Sequence, residues 1–168
     1  MPKRITVLAY ALFGFAVLLA GVAAIGAVLV GLDRETLWSS FLITNTAIGL
    51  SAAPCGLLIA RAKPDNPIGW LFLIVGIAPL LTAATAPLMI YGAARDWPEF
   101  ALRLLVTINM FSWSWGVFCC LPLILQLFPT GTPVSRRWAV LCWLTLGNAA
   151  LGNMFVGPTP DYVASSFL

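Results

Sequence analysis

Side chains able to carry acid–base or covalent chemistry are few and scattered in this sequence. There is no histidine and there are only six carboxylates, and these (Asp33, Glu35, Asp65, Asp96, Glu99 and Asp161) all lie between the apolar runs. Proton-transfer mechanisms therefore lose their usual base. Cys55, Cys119, Cys120 and Cys142 fall inside apolar runs, where without histidine or nearby carboxylates they assemble neither a metal set nor a secreted disulfide framework. They read as small, polarizable packing residues. Serine, threonine and cysteine nucleophiles inside the runs have no base to activate them, and no glycine-rich nucleotide loop is present. The expectation is a protein that is not an enzyme and uses no metal and no cofactor.

What remains is a set of polar and small side chains embedded in apolar sequence. Asn109, Ser112, Gly116 and Cys120 recur at spacings of three and four, which puts them on one face of a helix, while Trp113 and Trp115 point elsewhere. A second run aligns Ala47, Ser51 and Cys55 beneath Thr44, Asn45 and Thr46, and the first run carries Ala16, Ala20 and Ala24. Close helix packing is the ordinary use of such faces. The functional alternative is a pocket for an apolar ligand, lined by Trp113, Trp115, Phe111 and Phe118 and oriented by Asn45 or Asn109.

The elements that hold these residues follow from composition. With 61% hydrophobic and 9% charged residues and a mean hydropathy of +0.97, the chain cannot cover a water-facing surface. Uncharged stretches of about 17–25 residues are long enough to cross a bilayer. They predict an all-α, polytopic membrane helix bundle of five spans, at about 5–32, 41–60, 70–91, 104–128 and 138–156. Residues 1–156 form one transmembrane domain and 157–168 a short tail. Lys3 and Arg4 precede an apolar run that continues too far for a cleaved signal peptide, so the first span is retained. Pro54, Pro79, Pro87 and Pro122 fall within spans and can bend them. No charge lies near a midplane, so proton relays, ion rings and voltage sensors are excluded.

Lys/Arg counts on alternate sides total six and three, which predicts a cytoplasmic N-terminus in the plasma membrane and, with five spans, an external tail. The net charge of +3 suits anionic lipid headgroups and not nucleic acid. Local punctuation is legible too. Asn66 caps the third helix with Pro67 in its first turn, Asp96 offers a cap with Glu99 at the third helical position, and Ser135 caps the fifth. Arg136 and Arg137 then sit where the helix dipole disfavours them, so headgroup phosphates or a partner's acids are their counter-charges. Trp38, Trp70, Trp97 and Trp138 sit at span ends as interfacial anchors.

Two loops carry a family likeness. The stretch Arg61-Ala62-Lys63-Pro64-Asp65-Asn66-Pro67-Ile68-Gly69-Trp70-Leu71 and the stretch from Leu127 through Phe128-Pro129-Thr130-Gly131 and Ser135-Arg136-Arg137-Trp138 resemble the N-terminal membrane region of sensor histidine kinases common in actinobacteria. Thr130 stands where an acidic residue is usual, and Pro133 precedes Val134 rather than Ser135. The resemblance implies the sensor, or input module, of a two-component system, which relays a signal by helix contacts to a kinase or other membrane partner. It makes Asn66, Pro67, Trp70, Arg136 and Arg137 the candidate partner contacts. The chain has no histidine to phosphorylate, so alone it is not a kinase; it is a split input module, an orphan relative, or part of a longer protein. A second copy of the chain is another candidate partner. The alternative function is a small membrane protein that binds a lipid or other apolar ligand, or a transport accessory subunit.

Overall fold

The computed structural model describes residues 2–155, whose regular structure is all helical with no strand among them. In chain order they form α1 (Pro2–Val30), α2 (Arg34–Ser39), α3 (Leu42–Ala62), α4 (Pro67–Ala93), α5 (Glu99–Ser114), a π-helical stretch (Trp115–Cys120), α6 (Leu121–Leu127) and α7 (Arg136–Phe155). Four segments are long and apolar enough to cross a membrane: Ile5–Val30, Leu42–Ala62, Pro67–Ala93 and the continuous Glu99–Leu127.

Four such segments among the described residues, not five, correct the expected span count. The fifth expected span, 138–156, falls on α7, which opens on Arg136 and Arg137 and interrupts its apolar run with Thr145, Asn148 and Asn153. Val156 and the tail 157–168 lie outside the described residues.

α4 is the centre of the bundle. Two-thirds of its span is buried (67%), against 17% for α1 and 33% for α3, because α1, α3, α5, the π stretch and α6 all pack on it. α3 and α4 run antiparallel at very close approach. A Cβ built on Gly56 would meet Leu73 N at 2.5 Å, one on Gly69 would meet Ala60 N at 2.5 Å, and one on Gly76 would meet Ala53 N at 2.6 Å. Residues without side chains let the two backbones touch, the device that replaces hydrophobic driving force between helices in lipid.

The buried face of α3 is therefore Asn45, Gly49, Ala53, Gly56 and Ala60. The face expected from sequence is corrected: Ala47, Ser51 and Cys55 are exposed. α1 seats Ala9, Ala16 and Ala23, spaced by seven, together with Leu19 and Ala27, in clusters with Leu57 and Leu73 at one end and Ala53 and Leu80 further along. Of the expected Ala16, Ala20 and Ala24, Ala16 is buried, Ala20 is partly so and Ala24 is exposed.

Apart from the start of α3, which opens on a left-handed Phe41 with no side-chain cap, helix ends follow local rules with one exception. α1 stops at Gly31, which takes a left-handed φ of 70° while Leu32 N donates to Ala27 O at 3.0 Å, a glycine C-terminal motif. α2, a short helix not expected from the sequence, is capped by Asp33, whose carboxylate accepts from Thr36 N at 2.8 Å. The exception is Asp96, which does not cap α5. It lies at φ 52°, and Pro98 occupies the position before Glu99 with no side-chain cap. Proline fixes its own φ and disfavours helical geometry in the residue before it, which delays the start. Glu99 instead pairs with Arg103 one turn on.

Pro54, Pro79 and Pro87 stand inside continuous helices. Pro122 follows the π stretch, in which Leu121 N reaches back to Gly116 O. That wider register relieves the clash that a proline ring makes with the carbonyl four residues earlier.

Candidate functional site

Two constellations gather the polar residues, one within the bundle and one at its end. The first begins as a seam between α4 and α5. Asn109 donates through Nδ2 to Thr82 O at 3.0 Å and to Thr85 Oγ1 at 2.9 Å. In return Thr82 Oγ1 donates to Asn109 O at 3.1 Å and lies 3.2 Å from Ser112 Oγ. Each residue's side chain thus bonds the other's backbone, so the helices are held in register as well as in contact. Gly116 continues the face, where an added Cβ would lie 2.9 Å from Ala78 Cβ. Asn109, Ser112 and Gly116 are therefore packing residues against α4. Their partners Thr82 and Thr85 stand three apart within α4, a spacing that is the one signal for them in the sequence.

Beside this seam is a cavity of about 380 Å³ lined by Ser39, Ser40, Phe41, Asn45, Thr82, Ala86, Met89, Asn109, Met110 and Trp113. Of the residues expected around a pocket, it gathers Asn45, Asn109 and Trp113. Trp115, Phe111 and Phe118 are not part of its wall; Phe118 instead meets Trp113 edge to face at 5.6 Å. Phe41 sits on the rim at a left-handed φ of 57°, a conformation that costs a non-glycine residue about 1–2 kcal/mol. The cavity wall holds no charge.

The second constellation joins the two loops that carry the family likeness. Asn66 accepts from Ile68 N at 3.0 Å through Oδ1, capping α4 with Pro67 at its first position. The same side chain donates through Nδ2 to Pro129 O at 3.3 Å, across 63 residues of sequence. Gly131, at φ 79°, packs against Asn66, and an added Cβ would lie 2.7 Å from Pro67 Cδ. Trp70 Nε1 donates to Pro64 O at 2.9 Å and Trp138 Nε1 to Gln126 O at 2.7 Å. Ser135 Oγ accepts from Trp138 N at 3.2 Å, capping α7. Trp70 and Trp138 are thus latches for their own loops. Arg61 stacks on the Tyr10 ring of α1 at 5.1 Å. Arg136 and Arg137 are exposed, and no acid among the described residues pairs with them.

Among the described residues no group of histidine, cysteine or carboxylate side chains could hold a metal ion. No family model, curated protein or solved structure matches the chain.

Proposed function

We propose that the protein is a non-catalytic membrane input module, which takes up a change within its helices and passes it to a kinase or other membrane protein partner at the Asn66–Pro129 end. The observation that carries this reading is the tie between Asn66 and Pro129. Asn66 begins α4, the buried centre of the bundle, so a displacement of α4 moves the loop 128–135 and with it the start of α7. Both motifs that resemble sensor histidine kinases thereby become one surface. Arg61, Lys63, Arg136 and Arg137 are exposed there beside the single acid Asp65, a balance that suits an acidic partner surface. The same excess of basic residues supports a cytoplasmic side of the plasma membrane for this end and for the N-terminus.

The test places a photocrosslinking side chain at Val134, which is 82% exposed, in source cells. A protein adduct on the cytoplasmic side that disappears on charge reversal, Arg136→Glu with Arg137→Glu, while insertion is retained, supports the reading. Adducts to lipid alone, or an inverted topology in the reversed protein, would overturn it, because the arginines would then serve only as topology anchors.

A further inference from the structure

We infer that the cavity between α3, α4 and α5 is a binding site for a small uncharged molecule with an apolar body and one hydroxyl or carbonyl head. The inference stands on the lining of the cavity alone, whether or not the loop surface docks a partner. Its strongest support is Asn45. This residue is 3% exposed and lines the cavity, so its carboxamide is placed to bond a guest there. A buried amide without a partner is costly in any apolar setting. The backbone spends nothing on it, since Asn45 N already donates to Phe41 O at 2.9 Å. Ser40 Oγ, on the same wall, is buried with no partner. Asn109 adds a third group: both hydrogen bonds of its Nδ2 go to α4, which leaves its carbonyl oxygen as an acceptor. Donor and acceptor capacity therefore converge on one space.

The rest of the wall defines the body of the ligand. Ala86, Met89, Met110 and Trp113 are apolar and, for the methionines, adaptable. About 380 Å³ lies near the lower end of the roughly 300–1,000 Å³ of small-molecule sites. The absence of charge on the wall disfavours a carboxylate or an amine, which would be buried without a counter-ion. The rim is set by Phe41, 65% exposed, and Trp113, 40% exposed, so in a bilayer the mouth opens towards lipid. A hydroxyl head would donate to Asn109 and accept from Asn45, with its chain running past Met89 and Met110. Such a molecule could come from the membrane itself or from solution.

A photoreactive octanol carrying a diazirine on its chain tests the inference with the full chain in lipid nanodiscs. Saturable adducts should map to Met89, Met110 or Trp113. Unlabelled 1-octanol should displace them at least tenfold better than octane or octanoate. Long-chain diacylglycerol in the nanodisc as a competitor separates a lipid source, which would lower labelling, from a soluble one, which would not, and either supports the site. Asn45→Leu should abolish the preference for octanol over octane, and Ala86→Leu should reduce labelling by filling the space. The competition series on the unaltered protein keeps the test decisive if either variant folds poorly. Labelling that never saturates, spreads over the exposed Leu125, Trp143 and Leu144, or is displaced equally by octane would overturn the inference.

Discussion

Replacing Gly76 by alanine adds one methyl group within the close α3–α4 contact. The new Cβ would lie 2.6 Å from Ala53 N and 2.7 Å from Ala53 Cβ, where ordinary carbon contacts need about 3.5–4.0 Å. Its obstacles are a backbone atom and a Cβ, neither of which can rotate away, so the helices must part by about 1 Å. Overpacking of this kind costs about 1–3 kcal/mol, against about 1 kcal/mol gained in helix propensity when alanine replaces glycine. The expected net loss is about 0–2 kcal/mol. Gly21 supplies the opposite sign from the same chemistry: an added Cβ there meets nothing within 4 Å, so Gly21→Ala should be neutral or stabilising. Reversible unfolding in mixed micelles with a rising fraction of sodium dodecyl sulfate, followed by circular dichroism, compares the two. If Gly76→Ala proves as stable as Gly21→Ala, the close α3–α4 contact is not what holds the bundle.

Three further outcomes follow from the geometry. Asn109→Leu should cost about 1 kcal/mol of bundle stability, and a double-mutant cycle with Thr85→Val should give a coupling of similar size; additive single effects would mean the seam is not a bonded unit. Gly131→Ala forces a left-handed φ on a residue with a side chain and drives that side chain into Asn66; spin labels at Ala62 and Val134 should show a broadened distance, and an unchanged distribution would argue against the loop tie. The hydroxyl and N–H of Thr36 hold the Asp33 carboxyl below its usual range. The cap on α2 is therefore complete above the unfolded carboxylate value of about 3.9 and is lost as pH falls through the lower folded value. The protection factor of the Thr36 amide, taken against the intrinsic exchange rate at each pH, should fall only on acidification below about pH 4, and Asp33→Asn should remove that dependence; a protection factor indifferent to acidification in the unaltered protein would contradict the cap.

The parts of this protein governed by neighbours in sequence were legible without a structure. Asn66 and Ser135 cap their helices as their positions imply, because a cap needs only a side-chain oxygen and an N–H two or three residues on. Asp96 misled for an equally local reason, the geometry imposed by Pro98. The sequence Asp33-Arg34-Glu35-Thr36 contained the signal for α2, but a six-residue helix with no buried residue leaves no apolar period to read. The Asn109–Ser112–Gly116 face was readable as a polar stripe; that it meets Thr82 and Thr85 was not.

Composition by itself determined that the chain is apolar over bilayer lengths, which implies helices, and that it contains no histidine. The tertiary structure decided which face of each helix turns inward. In water, the inward face is marked by its hydrophobicity, but a helix surrounded by lipid is apolar on every side. The direction then depends on where backbones can approach, and so Gly49 and Gly56 face α4 while Ser51 and Cys55, just as plausible in sequence, face outward. The same choice turned Asn45 inward, towards the space between α3, α4 and α5.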